Sequence, residues 1–71
     1  MLIFKLYGAD PNGQIALRPA MINRVVTQPG DEGEDFAMIF VREGKDGEQG
    51  YVVQHSVKEV VTAIMKVADY F

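Results

Sequence analysis

Six consecutive apolar residues, "FAMIFV" at positions 36–41, limit the folds open to this chain more than any other feature. We predict a strand over residues 35–43, in which alternate side chains point to opposite sides of the sheet. The two sets are Phe36, Met38 and Phe40 on one face and Ala37, Ile39 and Val41 on the other. Such a strand needs apolar cover on both of its sides.

Turn residues divide the rest of the chain into short alternating or β-branched segments, which are typical of strands. The predicted strands are residues 2–7, 14–18, 21–28, 35–43 and 51–54. Asn12-Gly13 favours a tight hairpin turn because both residues tolerate positive φ. Pro29-Gly30 is typical of a type II turn, and residues 44–50 form a polar turn that contains Asp46-Gly47.

Residues 56–71 change from a period of two to the helical period of 3.6. Ser56 and Glu59 form an S-x-x-E capping box at the predicted helix start. The apolar stripe consists of Val57, Val60, Val61, Ile64, Val67, Ala68 and Phe71, opposite Lys58, Glu59, Thr62, Lys66 and Asp69. We therefore predict a single α+β domain over residues 1–71, an antiparallel β-meander of four to five strands with one C-terminal amphipathic helix packed on it.

One helix can cover only one face of the strand at 35–43, so the other face is left exposed. Either the sheet curls into a small barrel, or a second copy of the chain covers that face. We favour a homo-oligomer, because a chain of 71 residues without cysteine buries only about 60% of its unfolded surface and has no disulfide to stabilise it. The residues expected to mediate contact, with an unidentified protein partner or a second copy, are Phe36, Met38, Phe40, Ala37, Ile39, Val41, Asp31, Glu32, Glu34 and Asp35.

The stretch "QPGDEGEDF" (28–36) holds the four acidic residues of that set and is the strongest candidate for a metal loop. Calcium loops alternate their ligands and end in a glutamate at the twelfth position. Here the acids form adjacent pairs, and the twelfth position counted from Asp31 is Arg42. We interpret the stretch as a solvated turn that can also contact a basic partner.

No catalytic set is evident. His55 is the only histidine and Ser56 the only serine; the serine has a capping role, and we expect the histidine to pack at the helix entry. Neither a dinucleotide-binding nor a P-loop glycine pattern is present. We therefore predict a protein that is not an enzyme and has no catalytic residues, cofactor or metal.

The net charge of −3 argues against a protein that binds the nucleic-acid backbone. The alternative function is a small nucleic-acid-binding regulator that uses basic sheet residues beside stacking aromatics. Those residues are Lys5, Arg18, Arg24 and Arg42, with Phe36 and Phe40. Because no signal peptide and no run of about 20 apolar residues is evident, we expect a cytoplasmic protein without membrane insertion.

The order of motifs "LYG", "LRPAMINRV", "PGD", "IFVREG" and "YVVQHSVKEVV" resembles the FlbD/SwrD family of small flagellar and swarming-motility proteins. The matching positions are Leu6, Gly8, Leu17, Pro19, Ile22, Pro29, Asp31, Gly44, Tyr51, Val52, Val53, Ser56, Val57, Glu59 and Val60. The turns at 9–13, 32–35 and 45–49 are expanded relative to that pattern. The resemblance implies a cytoplasmic, non-enzymatic protein that supports flagellar motor function by protein contact.

Overall fold

Five strands and one C-terminal helix make up the part of the chain that the structure, a computed structural model, describes: residues 1–8 and 13–68. The strands are β1 (Leu2–Lys5), β2 (Gln14–Leu17), β3 (Ile22–Pro29), β4 (Asp35–Glu43) and β5 (Gly47–Val53), and the helix is α1 (Val57–Ala68). A short 3-10 turn, Pro19–Met21, connects β2 to β3. All strand pairs are antiparallel, so the predicted α+β class and strand count are confirmed.

The meander is split into two sheets, β1-β2 and β3-β4-β5. They meet where the chain continues past β1, at an isolated bridge between Leu6 and Val53. The Tyr7 N–H donates to the Val52 carbonyl at 2.9 Å, and the Gln54 N–H donates to the Lys5 carbonyl at 2.8 Å. This junction brings the N-terminal segment beside the last strand and curls the whole assembly around one core.

The second hairpin is tighter than predicted. β5 begins at Gly47 rather than at residue 51, and Gly47 pairs with Glu43, so the turn comprises residues 44–46 instead of 44–50. Backbone pairing needs no apolar side chains, and the polar residues 48–49 therefore extend the ladder against the long β4. The predicted pairing of the first two strands is confirmed, with Lys5 opposite Gln14. Asn12 of the predicted turn lies outside the described residues.

The core lies on the side of β4 that carries its odd-numbered residues. Its buried members are Leu2, Phe4, Leu17, Ala37, Ile39, Val41, Val53 and Val60. They come from both sheets and from α1, which contacts β3 and β4. The two-stranded sheet therefore supplies three core residues. From the sequence we had expected the helix alone to cover this face of β4.

The apolar face of α1 is rotated from the predicted stripe. Val61 is 39% exposed, although we assigned it to the stripe, whereas Ala63 packs against the core. At 100° per residue, Val61 lies about 100° from the fully buried Val60, but Ala63 lies only about 60° away on the other side. Phe71 and Asp69 lie outside the described residues. Within residues 1–8 and 13–68, no helix is both long and apolar enough to cross a membrane.

Candidate interaction surface

The face of β3-β4-β5 turned away from the core is here called the open face. It carries the even-numbered residues of β4 and their register neighbours on either side. Its members are Arg24, Val26 and Gln28 on β3, Phe36, Met38, Phe40 and Arg42 on β4, and Glu48, Gly50 and Val52 on β5. None of them is buried, and the three large apolar residues of β4 are half-buried.

Tyr7 covers one end of the open face. Its ring lies 4.5 Å from that of Phe36, centroid to centroid, at an angle of 34°. The backbone hydrogen bond from Tyr7 to Val52 holds the tyrosine at this position, yet its side chain remains 39% exposed. Gly30 lies against both Phe36 and Glu34. A Cβ at residue 30 would be only 2.8 Å from Phe36 Cε2 and 2.9 Å from Glu34 Oε1, so glycine makes room for both side chains. Phe36 and the Glu34 carboxylate therefore lie on the same side of the sheet.

Arg24 covers the other end. Its guanidinium carbon lies 4.0 Å from the centroid of the Phe40 ring, and its Nη2 lies 3.0 Å from Glu48 Oε1. Asn23 Nδ2 donates to the other Glu48 oxygen at 3.2 Å. Hydrogen bonds from Arg24 and then Asn23 hold the pKa of Glu48 below its ordinary value. The cation of Arg24 is thus already neutralised within the chain.

The centre of the open face has neither kind of cover. Met38 lies there between Val26 on β3 and Val52 on β5, and Val26 is 37% exposed. Gly50 allows the Met38 sulfur and the Phe40 ring to lie close over the β5 backbone, since its Cβ would be 3.3 Å and 3.1 Å from them. The curl of the chain closes the core side and leaves this centre accessible.

The acidic turn adjoins the Tyr7 end. The Gly30 N–H donates to the Glu34 carbonyl at 2.7 Å, and the Glu32 N–H donates to Glu34 Oε1 at 2.7 Å. Gly33 has a φ of +84°, which favours glycine. Charge repulsion from Asp31, followed by desolvation and by the charges of Glu34 and Glu32, raises the pKa of Tyr7. These acids therefore lie beside the open face.

Among the described residues, no three histidine, aspartate or glutamate side chains are grouped to hold a metal ion.

The predicted contact residues divide into two groups. Ala37 and Ile39 are fully buried and Val41 is 5% exposed, so they belong to the core and cannot line an accessible surface. This corrects their inclusion, which arose because the sequence does not reveal which face of β4 the helix covers. Phe36, Met38 and Phe40 lie on the open face; Asp31, Glu32 and Glu34 lie in the turn, and Asp35 begins β4 opposite Pro29.

Sequence reasoning missed the part that Tyr7 and Val26 have in this surface. Tyr7 ends the predicted strand 2–7, but its contact with Phe36 depends on the β1–β5 junction between residues distant in the chain. Of the four basic candidates, Arg24 and Arg42 lie on the open face, whereas Lys5 ends β1 and Arg18 follows β2. The four therefore do not form one basic surface.

His55 packs at the entry of α1, as predicted. Its ring meets Phe4 edge-on at 5.7 Å, and its Nδ1 lies 3.6 Å from Glu59 Oε2. The capping box is also confirmed: the Glu59 N–H donates to the Ser56 hydroxyl at 3.2 Å, and the Ser56 N–H donates to Glu59 Oε1 at 3.3 Å. These contacts give His55 and Ser56 structural roles.

Comparison of the chain with protein-family models, with curated proteins and with solved structures finds no match. The open face is the feature of the fold that bears on function: its apolar centre lies between an acidic end and an arginine-bearing end. Apolar centres with charged rims are typical of surfaces that bind other proteins.

Proposed function

We propose that this protein is a non-enzymatic interaction module that self-associates or binds another protein through the open face. The observation that supports the proposal is the central row of Val26, Met38 and Val52, which neither the helix nor the curled sheet covers. A contiguous apolar patch with a polar rim is costly to leave in water and marks an interaction site.

The composition of the patch supports the same proposal. Aromatic residues, methionine and arginine are enriched in protein interfaces, and the open face holds Phe36, Phe40, Met38 and Arg24, with Tyr7 at its edge. The rings are held in place by contacts within the chain, so binding would immobilise few side chains. A preorganised surface loses less entropy on association.

The resemblance to the FlbD/SwrD family extends this proposal to a biological setting. A protein of that kind would act in the cytoplasm and support flagellar motility through contact with other proteins. The matching residues include Tyr51, Val52 and Val53 of β5 and the Ser56-Val57 helix start, which build the sheet and its connection to α1.

We propose protein rather than nucleic acid as the partner. Arg24 is paired with Glu48, which leaves Arg42 as the open-face cation without an ion-pair partner among the described residues. Asp31, Glu32 and Glu34 stand beside Tyr7, at the Phe36 end of the open face, where they would repel a phosphate backbone.

Site-specific photocrosslinking tests the proposal. A benzoylphenylalanine in place of Met38 in the full chain, expressed in its native cell, should give discrete crosslinked protein products. The same amino acid in place of Thr62, which is exposed on α1, serves as the control. Val26→Glu puts a charge in the centre of the patch at a residue already 37% exposed, so it should remove the products without unfolding the chain.

The proposal is overturned if position 38 crosslinks no more than position 62, or if Val26→Glu leaves the products unchanged while circular dichroism shows a folded chain. Products that disappear on nuclease treatment would instead support the nucleic-acid alternative.

A further inference from the structure

The residues on the open face of β4 are arranged symmetrically about Met38, and this symmetry indicates what binds there. The inference rests on the function proposed above. Every second residue from the acidic turn to the end of the strand gives the order Glu34, Phe36, Met38, Phe40, Arg42. Met38 is the midpoint, an aromatic residue stands two positions to either side, and opposite charges stand four positions to either side.

The structure places these groups on one side of the sheet. Glu34 Oε1 and Phe36 Cε2 both lie close to the position that a Cβ of Gly30 would occupy. The Phe40 ring lies on the same face, where the Arg24 guanidinium stacks on it. Arg42 follows Phe40 by two residues within β4, which keeps its Cβ on this face. At about 3.4 Å per residue, each charged end lies about 13 Å from Met38 along the strand.

We infer that a second copy of this chain occupies the open face, related to the first by a two-fold axis that runs between the two sheets, parallel to them and perpendicular to β4, and passes over Met38. Each contact away from the axis then occurs twice, as in all isologous interfaces. The Met38 side chains meet at the axis, and the Tyr7–Phe36 end of each copy faces the Arg24–Phe40 end of the other. Glu34 of each copy then lies opposite Arg42 of the other. Two sheets packed in this way would cross at about 30° with about 10 Å between them.

The charges at the ends of the open face favour an antiparallel arrangement of the two β4 strands. Among the described residues, neither Arg42 nor the acids Asp31, Glu32 and Glu34 have an ion-pair partner. An antiparallel arrangement of the two β4 strands brings these opposite charges together at both ends of the interface. A parallel arrangement would place acid on acid, which is unfavourable in a partly desolvated contact.

The size of the surface sets the strength of the dimer. Three strands spaced about 4.8 Å apart over about 27 Å of length present about 400 Å² per copy. A standard interface buries about 800 Å² per partner. We therefore expect a weak, reversible dimer, at the small end of specific interfaces.

Charge reversal with mixing tests this geometry. Glu34→Arg puts arginine against arginine in its own dimer, and Arg42→Glu puts glutamate against glutamate. In an equal mixture of the two variants, the mixed dimer has an opposite-charge pair at both ends. Sedimentation equilibrium of the full chains should show each variant dimerising at least about tenfold more weakly than the wild type, and the mixture regaining the wild-type affinity.

Two further variants protect the test. Glu43→Arg makes the same charge change next to Arg42 but on the opposite side of β4, so this control variant should dimerise as tightly as the wild type. If Glu34→Arg fails to fold because it loses the Glu32 N–H contact, Asp31→Arg replaces it, since Asp31 is exposed in the same turn.

A wild-type chain that stays monomeric up to about 1 mM overturns the inference, as does a mixture that associates no better than its components. If position 38 nevertheless crosslinks to a different protein, the proposed interaction module stands and only the second copy is excluded.

Discussion

The guanidinium carbon of Arg24 lies 4.0 Å from the centroid of the Phe40 ring, while its Nη2 reaches Glu48 Oε1 at 3.0 Å. One side chain thereby connects three adjacent strands at the end of the open face opposite the acidic turn. The cluster contains both a cation–π contact and an ion pair, and these two interactions can be tested separately.

The cation–π contact predicts energetic coupling between Arg24 and Phe40. A double-mutant cycle of Arg24→Ala with Phe40→Leu should give a coupling of about 0.5–1 kcal/mol in urea unfolding, the usual range for exposed pairs. The matched cycle uses Arg42→Ala, because no cation–π contact of Arg42 is found among the described residues. Equal coupling in both cycles would contradict the contact.

The ion pair predicts a pH dependence. Because Arg24 and Asn23 hold the pKa of Glu48 below its ordinary value in the folded chain, the pair stabilises the fold at pH values above the ordinary carboxyl pKa. This stabilisation is lost as the pH falls through the folded pKa. Arg24→Gln should therefore lower the urea midpoint at about pH 6 and lower it less at about pH 3. Arg42→Gln is the control, and a gap that does not narrow on acidification would contradict the prediction.

The sequence specified the local features of this fold well. Period, turn residues and the S-x-x-E pattern indicated the strands, the helix and its cap, because each depends on neighbouring residues. The position of Tyr7 on Phe36 depends on a junction between Leu6 and Val53, and no local pattern contains that information. For the same reason, the sequence showed that the even- and odd-numbered residues of β4 lie on opposite faces, but it did not show which face is the core.

The capping box predicts a loss of stability on Ser56→Ala. The hydroxyl accepts the Glu59 N–H at 3.2 Å, and loss of such a cap costs about 1 kcal/mol. The backbone and side chain of Ser56, with a smaller effect of His55, hold the pKa of Glu59 below its ordinary value. The variant should therefore also raise the pKa of Glu59, measured by NMR titration. Thr62→Ala, at an exposed position of α1, should do neither.

The orientation of α1 is tested by two adjacent valines. Val60 is fully buried and Val61 is 39% exposed. Val60→Ala should cost about 1–3 kcal/mol from lost burial and the cavity left behind. Val61→Ala should change stability by less than about 0.5 kcal/mol, because alanine also favours the helix. Equal losses in urea unfolding would show that the helix presents a different face to the sheet.

The tight second hairpin predicts that its two glycines differ in their tolerance of a side chain. A Cβ at Gly47 would collide with the Glu43 carbonyl oxygen, a backbone atom that cannot move without breaking the β4–β5 pairing. Gly44 has open space around it but a φ of +69°, which costs a non-glycine residue about 1–2 kcal/mol. Thermal unfolding should therefore show a larger loss of stability for Gly47→Ala than for Gly44→Ala.

Asparagine variants provide the control. Gly44→Asn should recover part of the smaller loss, because asparagine tolerates the left-handed region, whereas Gly47→Asn should recover nothing. A milder effect at Gly47 than at Gly44 would mean that β5 begins after residue 47 and that the longer turn read from the sequence is right.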